Sequence, residues 1–297
     1  MAEKKTIKKP EKVHEVVTSA NKAMAATIRS IVAGLMDKVM DRVLVSDPFV
    51  EEVHHAAKPL YAALVPDEIF KGAHFERRFV TPFGNVWEEL AMVVAQKHHG
   101  KCEKGYTVHG TIGRESLRRI QEVLNRLEHP DIATKKRPKP NFSEELDYVR
   151  AGNDVLVPCD VTCDIFVENV SSGKRFAFEL KGPLPNSDQT KVSKEKILKL
   201  MAMSPKMVDG AFYALVYNPY GGSRADYAWT FPARWFDMQN DSVILLGEDF
   251  WDMIGGRGTY RQFVAEINKL GRGYRERIYR EFLGMEPPEG NSHNEMS

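Results

Sequence analysis

Residues 164–168, Asp-Ile-Phe-Val-Glu, and residues 175–181, Arg-Phe-Ala-Phe-Glu-Leu-Lys, carry their charged side chains at even spacing, with apolar side chains between them. Because strand side chains point alternately to opposite faces, the two runs predict a β-hairpin. A two-residue turn at 171–172 would place Asp164 directly opposite Glu179.

One face of this hairpin is predicted to be apolar and the other to be charged. Glu168 and Arg175 form an opposite-charge pair on the second face, and Lys181 lies on the same side as Glu179. The apolar face holds Cys163, Ile165 and Val167 on one strand and Phe176, Phe178 and Leu180 on the other.

The facing pair of Asp164 and Glu179 suggests a site for a divalent cation. Like charges directly opposite each other destabilise a sheet, and opposed Cβ atoms lie roughly 4.5–5.5 Å apart. A divalent cation held by both carboxylates would remove the repulsion, with oxygens at roughly 2.0–2.1 Å for magnesium. Such a cation polarises a phosphoryl oxygen and activates water, and Lys181 could orient that water. The hairpin therefore favours metal-dependent phosphodiester cleavage, with a solvated sheet face as the alternative.

Composition places the chain among globular proteins. It has 297 residues, of which 42% are apolar and 28% charged, enough for one large domain or two modest ones. No run is long and apolar enough for a membrane span or a secretory signal, so we expect a cytoplasmic protein with no membrane partner. Three cysteines without a Cys-x-x-Cys motif argue against a disulfide framework and a structural zinc site.

The order of predicted elements gives an α/β fold, a mixed β-sheet flanked by helices, with a helical N-terminal region. Residues 11–98 have helical periodicity, with one helix beginning near Pro82. After the hairpin, a helix at 191–203 precedes an apolar strand at 211–217, which implies a crossover between neighbouring strands. The remaining elements are a strand at 105–112, a helix at 114–128, a connector at 130–141, a helix at 144–150, a strand at 242–246 and a closing helix at 258–283.

The predicted domain organisation has three parts. Residues 1–80 form the helical N-terminal region, and residues 81–285 form the catalytic core. Residues 286–297 are expected to be a disordered tail.

Several motifs together resemble the PD-(D/E)xK nuclease superfamily and, within it, the TdeIII-type restriction endonucleases. The resemblance covers about residues 70 to 280. It is carried by Asp164 and Glu179-Leu180-Lys181 with Pro183, Pro185-Asn186 and Asp188-Gln189; by Phe75-Glu76-Arg77, Phe79, Thr81, Gly84 and Trp87-Glu88; and by Tyr217-Asn218-Pro219-Tyr220-Gly221, Gly247, Phe250-Trp251, Gly255-Gly256 and Tyr260.

The resemblance implies a prokaryotic type II deoxyribonuclease that uses Mg²⁺, acts on double-stranded DNA as a homodimer and cuts both strands at a short palindrome such as GGNCC. It makes Asp164 and Glu179 metal ligands, Lys181 the catalytic lysine and Glu88 an acidic residue beside the metal. No proline precedes Asp164, whereas Pro158 lies near Asp160, which leaves Asp160 as a second candidate for the first ligand. The two aspartates lie about 13 Å apart along a strand, and the register favours Asp164.

DNA contacts are expected just past the hairpin. Asn186 and Gln189 belong to the motif, and Lys191 and Lys194 belong to a basic cluster. For Gln189 and Lys191 a role at the start of a helix is an equal alternative.

Three other functions are compatible with parts of the sequence. Asn218-Pro219-Tyr220 is similar to the base-stacking element of DNA methyltransferases, but the second proline of that element is absent and no glycine-rich loop indicates a nucleotide cofactor. The structural alternative is a turn that ends the strand. A junction resolvase or repair nuclease could use the same fold. The hairpin could also belong to a DNA-binding protein without enzymatic activity.

Overall fold

The computed structural model describes residues 11–152 and 154–288. By contacts between Cα atoms they divide into a central unit, Trp87–Tyr260, and a terminal unit that combines the described residues up to Val86 with those from Arg261 onward. The predicted boundaries at residues 80 and 285 differ from this division, since they assign the last helix to the core. Residues 289–297 of the predicted tail lie outside the described residues.

The terminal unit is helical, as the sequence predicts for residues 11–98. Within it, the Arg29 guanidinium donates to both carboxylate oxygens of Glu266, at 2.6 and 2.8 Å. Its elements are α1 (Glu11–Asp41) with a π-helical end (Arg42–Ser46), α2 (Glu51–Ala57), α3 (Pro59–Ala62), the first part of α4 (Asp67–His99), and most of α9 (Thr259–Arg277) with a π-helical end (Ile278–Leu283).

The predicted helix start at Pro82 is wrong. Helix α4 runs through Pro82, although a proline in a helix interior removes one backbone hydrogen bond and crowds the preceding turn. An aromatic stripe supports the continuity: the rings of Phe75 and Phe79 lie 6.1 Å apart, and those of Phe79 and Phe83 lie 4.7 Å apart. Packing along this stripe at i, i+4 spacing offsets part of the cost of Pro82.

The central unit contains a mixed five-stranded sheet, which confirms the predicted fold class. The strands lie in the order β1-β2-β3-β4-β5; β1, β2 and β3 pair antiparallel, whereas β3, β4 and β5 pair parallel. They are β1 (Gly100–Gly113), β2 (Leu156–Asn169), β3 (Arg175–Lys181), β4 (Gly210–Leu215) and β5 (Ile244–Leu246).

Helices connect and cover these strands. The crossover between β3 and β4 is confirmed as α7 (Ser187–Ala202), which begins earlier than predicted because Asn186 caps it by accepting the Gln189 N–H at 2.8 Å. The others are α5 (Arg114–Glu128), at its predicted bounds, α6 (Phe142–Arg150) and α8 (Glu248–Gly255); two 3₁₀ turns lie at Arg224–Asp226 and Pro232–Arg234. None of the described helices is long and apolar enough to cross a membrane.

The sheet is covered on both faces, so the reading of the charged hairpin face as solvated is wrong. Phe166 and Ala177 lie on that face, and both are buried in the cluster that includes apolar residues of α7. On the opposite face, Phe178 packs against Phe250 of α8, with ring centroids 5.9 Å apart. The charged end of the hairpin therefore lies in a packed interior, where unpaired charge is costly.

The hairpin register is confirmed, but its turn is longer than predicted. Glu168 pairs with Arg175 and Ile165 with Phe178. The chain reverses through four residues, 170–173, between Asn169 and Lys174, whose backbone groups bond at 2.8 Å. Gly173 supplies the left-handed conformation, with φ of 69°, that closes the loop. The longer turn leaves the predicted register unchanged, because Asn169 still pairs with Lys174.

We predict that Pro82→Ala stabilises the terminal unit. The substitution restores a helical N–H and removes the ring from the helix interior, which gains about 2 kcal/mol in the free energy of unfolding. Urea denaturation followed by circular dichroism measures it. The control is Pro59→Ala, because Pro59 is the first residue of α3, where proline is tolerated. Equal gains in both variants, or no gain at Pro82, would contradict the interpretation.

Candidate active site

The hairpin ladder ends where the candidate site begins. The last pair of β2 and β3 is Ile165 with Phe178. Beyond it, the backbone N–H of Leu180 donates to Oδ2 of Asp164 at 2.8 Å. A side-chain oxygen on β2 thus bonds a backbone amide of β3, and this contact fixes the Asp164 carboxylate against β3.

The ammonium of Lys181 is surrounded by oxygens. Its Nζ lies 2.8 Å from Oδ2 of Asp164, 3.1 Å from the carbonyl oxygen of Leu180 and 3.5 Å from Oε2 of Glu179. Burial by itself would lower the pKa of Lys181, but the neighbouring Asp164 and Glu179 raise it overall. The ammonium therefore stays charged and neutralises the two carboxylates.

Glu179 is the most buried group of the site, with 2% of its side chain exposed. Burial raises the pKa of Glu179, as does the charge of Asp164, whereas the two neighbouring lysines, Lys181 and Lys196, oppose the shift. Oε1 accepts a hydrogen bond from Lys196 at 2.8 Å, and Oε2 accepts a longer one from Ser193 at 3.4 Å.

Sequence reasoning missed Lys196 and Ser193 as parts of this site. Both lie on α7, three residues apart and thus on one helix face, and both contact Glu179. Lys196 belongs to the basic cluster past the hairpin, but no feature of the sequence distinguishes it from the other lysines of that cluster. The predicted crossover could have located these two residues, because it packs one face of α7 against the strand that carries Glu179.

The donor chemistry fits a hard divalent cation. Asp164, Glu179 and the Leu180 carbonyl offer oxygen only, which is the ligand type that Mg²⁺ and Ca²⁺ prefer, and Mg²⁺ commonly keeps several waters beside one or two carboxylates. Within residues 11–152 and 154–288, no group of three or more His, Cys, Asp or Glu side chains is placed to hold a metal. A cation at this site would therefore complete its coordination with the carbonyl, with water or with DNA.

The other acidic candidates lie in different surroundings. Glu88, on α4, forms an ion pair with Lys104 of β1 at 2.8 Å. Asp160 is 61% exposed and pairs with His109, which lies opposite it in the β1–β2 register, at 3.0 Å. Asp164, rather than Asp160, thus contacts Lys181, which in turn lies 3.5 Å from Glu179.

The chain is matched by the model of a known protein family, described as type II restriction endonuclease, HinfI, over residues 24–271. The chain belongs to this family. Its members are type II restriction endonucleases, so the predicted class of enzyme, a site-specific deoxyribonuclease that binds and cleaves double-stranded DNA, is confirmed. The methyltransferase and the non-enzymatic reading are thereby set aside. The finer assignment to the TdeIII type stays a prediction.

Individual relatives agree with the family. Over 230 residues the chain is 26% identical to "Type II restriction enzyme HgiCII" of Herpetosiphon aurantiacus, covering 76% of this chain and 82% of that enzyme. Over 218 residues it is 25% identical to "Type II restriction enzyme HgiBI" of the same organism, covering 72% and 77%. Both alignments span most of each chain, which supports a comparison of whole enzymes.

The methyltransferase-like motif forms a turn in this family member. Oδ1 of Asn218 accepts the Tyr220 N–H at 3.0 Å, and its Nδ2 donates to the carbonyl of Ser223 at 2.8 Å. Asn218 thus ends the segment after β4 in an Asx-type turn, as the structural alternative predicted.

The expected DNA contacts have local roles in the described residues. Asn186 caps α7, and Gln189 provides the capped N–H. Lys191 pairs with Glu128 of α5 at 2.6 Å, and about a third of each side chain remains exposed. The pair of Lys191 with Glu128 is compatible with a DNA contact, because a phosphate could replace the partly exposed carboxylate as the partner of Lys191.

The prediction that Lys194 contacts DNA is wrong, because its side chain is not placed to reach DNA. Its side chain is fully buried and forms an ion pair with Glu145 of α6, which is 2% exposed. Its ammonium also donates to the carbonyl oxygen of Trp235. Burial lowers the pKa of Lys194 and raises the pKa of Glu145, and the opposite charge of the partner counteracts both shifts.

We predict that Lys194→Met destabilises the enzyme by about 3–5 kcal/mol, because Glu145 is left buried without its partner. Unfolding in urea measures the loss. Lys194→Met combined with Glu145→Leu should recover most of it, since no unpaired charge then remains. Lys191→Met is the matched control on the same helix, and its half-exposed pair should cost less than about 1 kcal/mol. A folded double variant that no longer binds DNA would contradict the structural role.

Proposed function

We propose that the protein is a Mg²⁺-dependent restriction endonuclease that hydrolyses both strands of duplex DNA at a short palindromic site of the GGNCC kind. One observation carries the proposal: Asp164, the Leu180 carbonyl and Glu179 converge on the ammonium of Lys181 at 2.8, 3.1 and 3.5 Å. This all-oxygen cluster lies within the region that matches the restriction endonuclease family.

The proposed metal ligands are Asp164 and Glu179. A bound Mg²⁺ would polarise a phosphoryl oxygen and lower the pKa of a nearby water. The chain fixes its own part in advance, because the Leu180 N–H orients Asp164 and Lys196 pairs with Glu179. Preorganised ligands of this kind need little rearrangement when the substrate arrives.

Lys181 and Glu88 have separate proposed roles. Lys181 is charged and sits among the carboxylates, where it can orient the attacking water or stabilise charge that develops on the phosphate. Glu88 is proposed as the acidic residue beside the metal that the superfamily resemblance implies. Its contact with Lys104 would then have to exchange for one with the metal or its waters.

A palindromic target favours a homodimer. Two subunits related by a twofold axis present the same reading surface and the same cleavage centre to each half-site. The exposed groups near the site, Asn186, Gln189 and Lys191, are proposed to contact the DNA backbone. The TdeIII-type assignment and the GGNCC target rest on the motif resemblance.

Mapped fragment ends test the proposal directly. Incubated with Mg²⁺ and a long duplex DNA of known sequence, the protein should produce discrete fragments whose ends fall at one palindrome on both strands. EDTA should abolish cleavage. Cuts at branched or damaged positions alone would favour a resolvase or repair nuclease. Undiminished cleavage in EDTA would contradict the metal-dependent mechanism.

Variants of the site should separate catalysis from binding. We expect Lys181→Ala, Glu179→Gln and Asp164→Asn each to lower the cleavage rate by at least about 10²–10³-fold, because each removes charge stabilisation at the reacting phosphate. Binding of target DNA, measured by gel shift without divalent metal, should remain.

The matched control for Asp164→Asn is Asp160→Asn. It removes the same charge from the same strand at the exposed position paired with His109. Cleavage by Asp160→Asn should stay near wild type. The reverse result, with Asp160 essential and Asp164 dispensable, would transfer the metal ligand to Asp160.

A further inference from the structure

The two oxygens of Glu179 have unequal partners. Oε1 lies 2.8 Å from Nζ of Lys196, a good charge-assisted hydrogen bond. Oε2 has only long contacts, 3.4 Å to Oγ of Ser193 and 3.5 Å to Nζ of Lys181. Lys196 therefore anchors one oxygen and leaves the other toward Asp164, Lys181 and the Leu180 carbonyl.

The four charges at this place sum to zero. Asp164 and Glu179 contribute two negative charges, and Lys181 and Lys196 contribute two positive ones, within direct contacts of 2.8–3.5 Å. A divalent cation that enters this cluster meets carboxylates already neutralised by ammonium groups. The repulsion between the cation and the two ammonium groups is strong in a site from which water is mostly excluded.

DNA would change this balance. A phosphate beside the site offers both ammonium groups a new partner, and each lysine keeps a partly exposed side chain, 19% for Lys181 and 29% for Lys196. Once the lysines turn toward phosphate, the carboxylates regain net negative charge and attract the metal. Metal and DNA would then favour each other's binding, and this linkage is reciprocal.

We propose that Lys196 is a positioning residue of the active site: by pairing with Oε1 of Glu179 it holds that carboxylate in place and opposes metal binding until DNA is bound. The role rests on the proposed metal site, and it adds to that site a residue of α7 outside the Asp-Glu-x-Lys motif. Lys196 acts through Glu179 and is not itself a ligand of the metal.

The chain offers a close control for Lys196. Lys199 lies one turn further along α7, with 27% of its side chain exposed, and forms an ion pair with Glu195 at 2.6 Å. Lys199→Gln removes the same charge from the same helix without touching Glu179. Lys196→Arg keeps the charge beside Glu179.

Calorimetric titration of Mg²⁺ into the DNA-free, full-length protein tests the proposal. Lys196→Gln should bind Mg²⁺ about tenfold more tightly than wild type, because one opposing charge is gone. Lys199→Gln and Lys196→Arg should stay within about twofold of wild type. Circular dichroism confirms that each variant is folded. A Lys196→Gln protein that binds Mg²⁺ no more tightly than Lys199→Gln would overturn the proposal.

The linkage gives a second readout. Mg²⁺ should strengthen binding of uncleavable target DNA by a smaller factor in Lys196→Gln than in wild type, and the reduction should equal the gain in Mg²⁺ affinity without DNA. An unreduced factor would overturn the proposal even if DNA cleavage has already been demonstrated.

One more variant separates this failure from failure of the metal site. In the Lys196→Gln background, Glu179→Gln should abolish the tight Mg²⁺ binding. If it does not, the assignment of Glu179 as a ligand fails, and the role of Lys196 fails with it. If it does, while Lys196→Gln matches the Lys199→Gln control in affinity, only the role of Lys196 fails.

Discussion

The mutual neutralisation of Asp164, Glu179, Lys181 and Lys196 governs how the central unit is assembled. A carboxylate as buried as Glu179, 2% exposed, is costly unless it is paired and hydrogen-bonded. The members of the cluster come from three elements, β2, β3 and α7, so the cluster can form only when all three are in place. The ion pairs that form the candidate site therefore also join the strands of the sheet to α7.

Helix α7 meets this constraint by using its faces differently. Ser193 and Lys196 contact Glu179, whereas Lys194, between them in sequence, pairs with Glu145 of α6. The second pair is fully buried and lies on another side of the helix, so it fixes the rotation of α7. A rotation that moved Lys194 out of its pair would also carry Lys196 away from Glu179. The Lys194–Glu145 pair thus stabilises the site from a distance without contacting it.

What could be predicted from the sequence follows from how local each signal is. The hairpin register was predictable because alternation and a short turn leave few possible pairings, and Ile165 does pair with Phe178. The bounds of α5 and the crossover were predictable from helical periodicity. Pro82 misled because the prediction followed its local preference alone, although Phe75, Phe79 and Phe83 stand at helical spacing around it. A local start signal and a helical stripe compete there, and the spacing alone does not decide between them.

The two lysines of α7 show the same limit more sharply. Lys194 and Lys196 lie two residues apart in one basic run, and local sequence offers no reason to bury one and place the other beside a carboxylate. Their roles are set by Glu145 and Glu179, which come from other parts of the chain. The sequence thus predicted the residues of the hairpin well and the residues of the helix poorly, because the former contact near neighbours and the latter do not.

The end of the ladder explains why Asp164, and not another acidic residue of β2, contacts Lys181. Asp160 still faces β1 through His109 and stays 61% exposed. At Asp164 the side chain contacts β3 instead, and it does so just where the β2–β3 ladder has ended. Because the ladder has ended, the Leu180 N–H donates a hydrogen bond to Asp164, and the Asp164 carboxylate reaches Lys181. A regular ladder through this point would direct the Leu180 N–H to a backbone carbonyl, and the carboxylate would lose the contact that orients it toward Glu179.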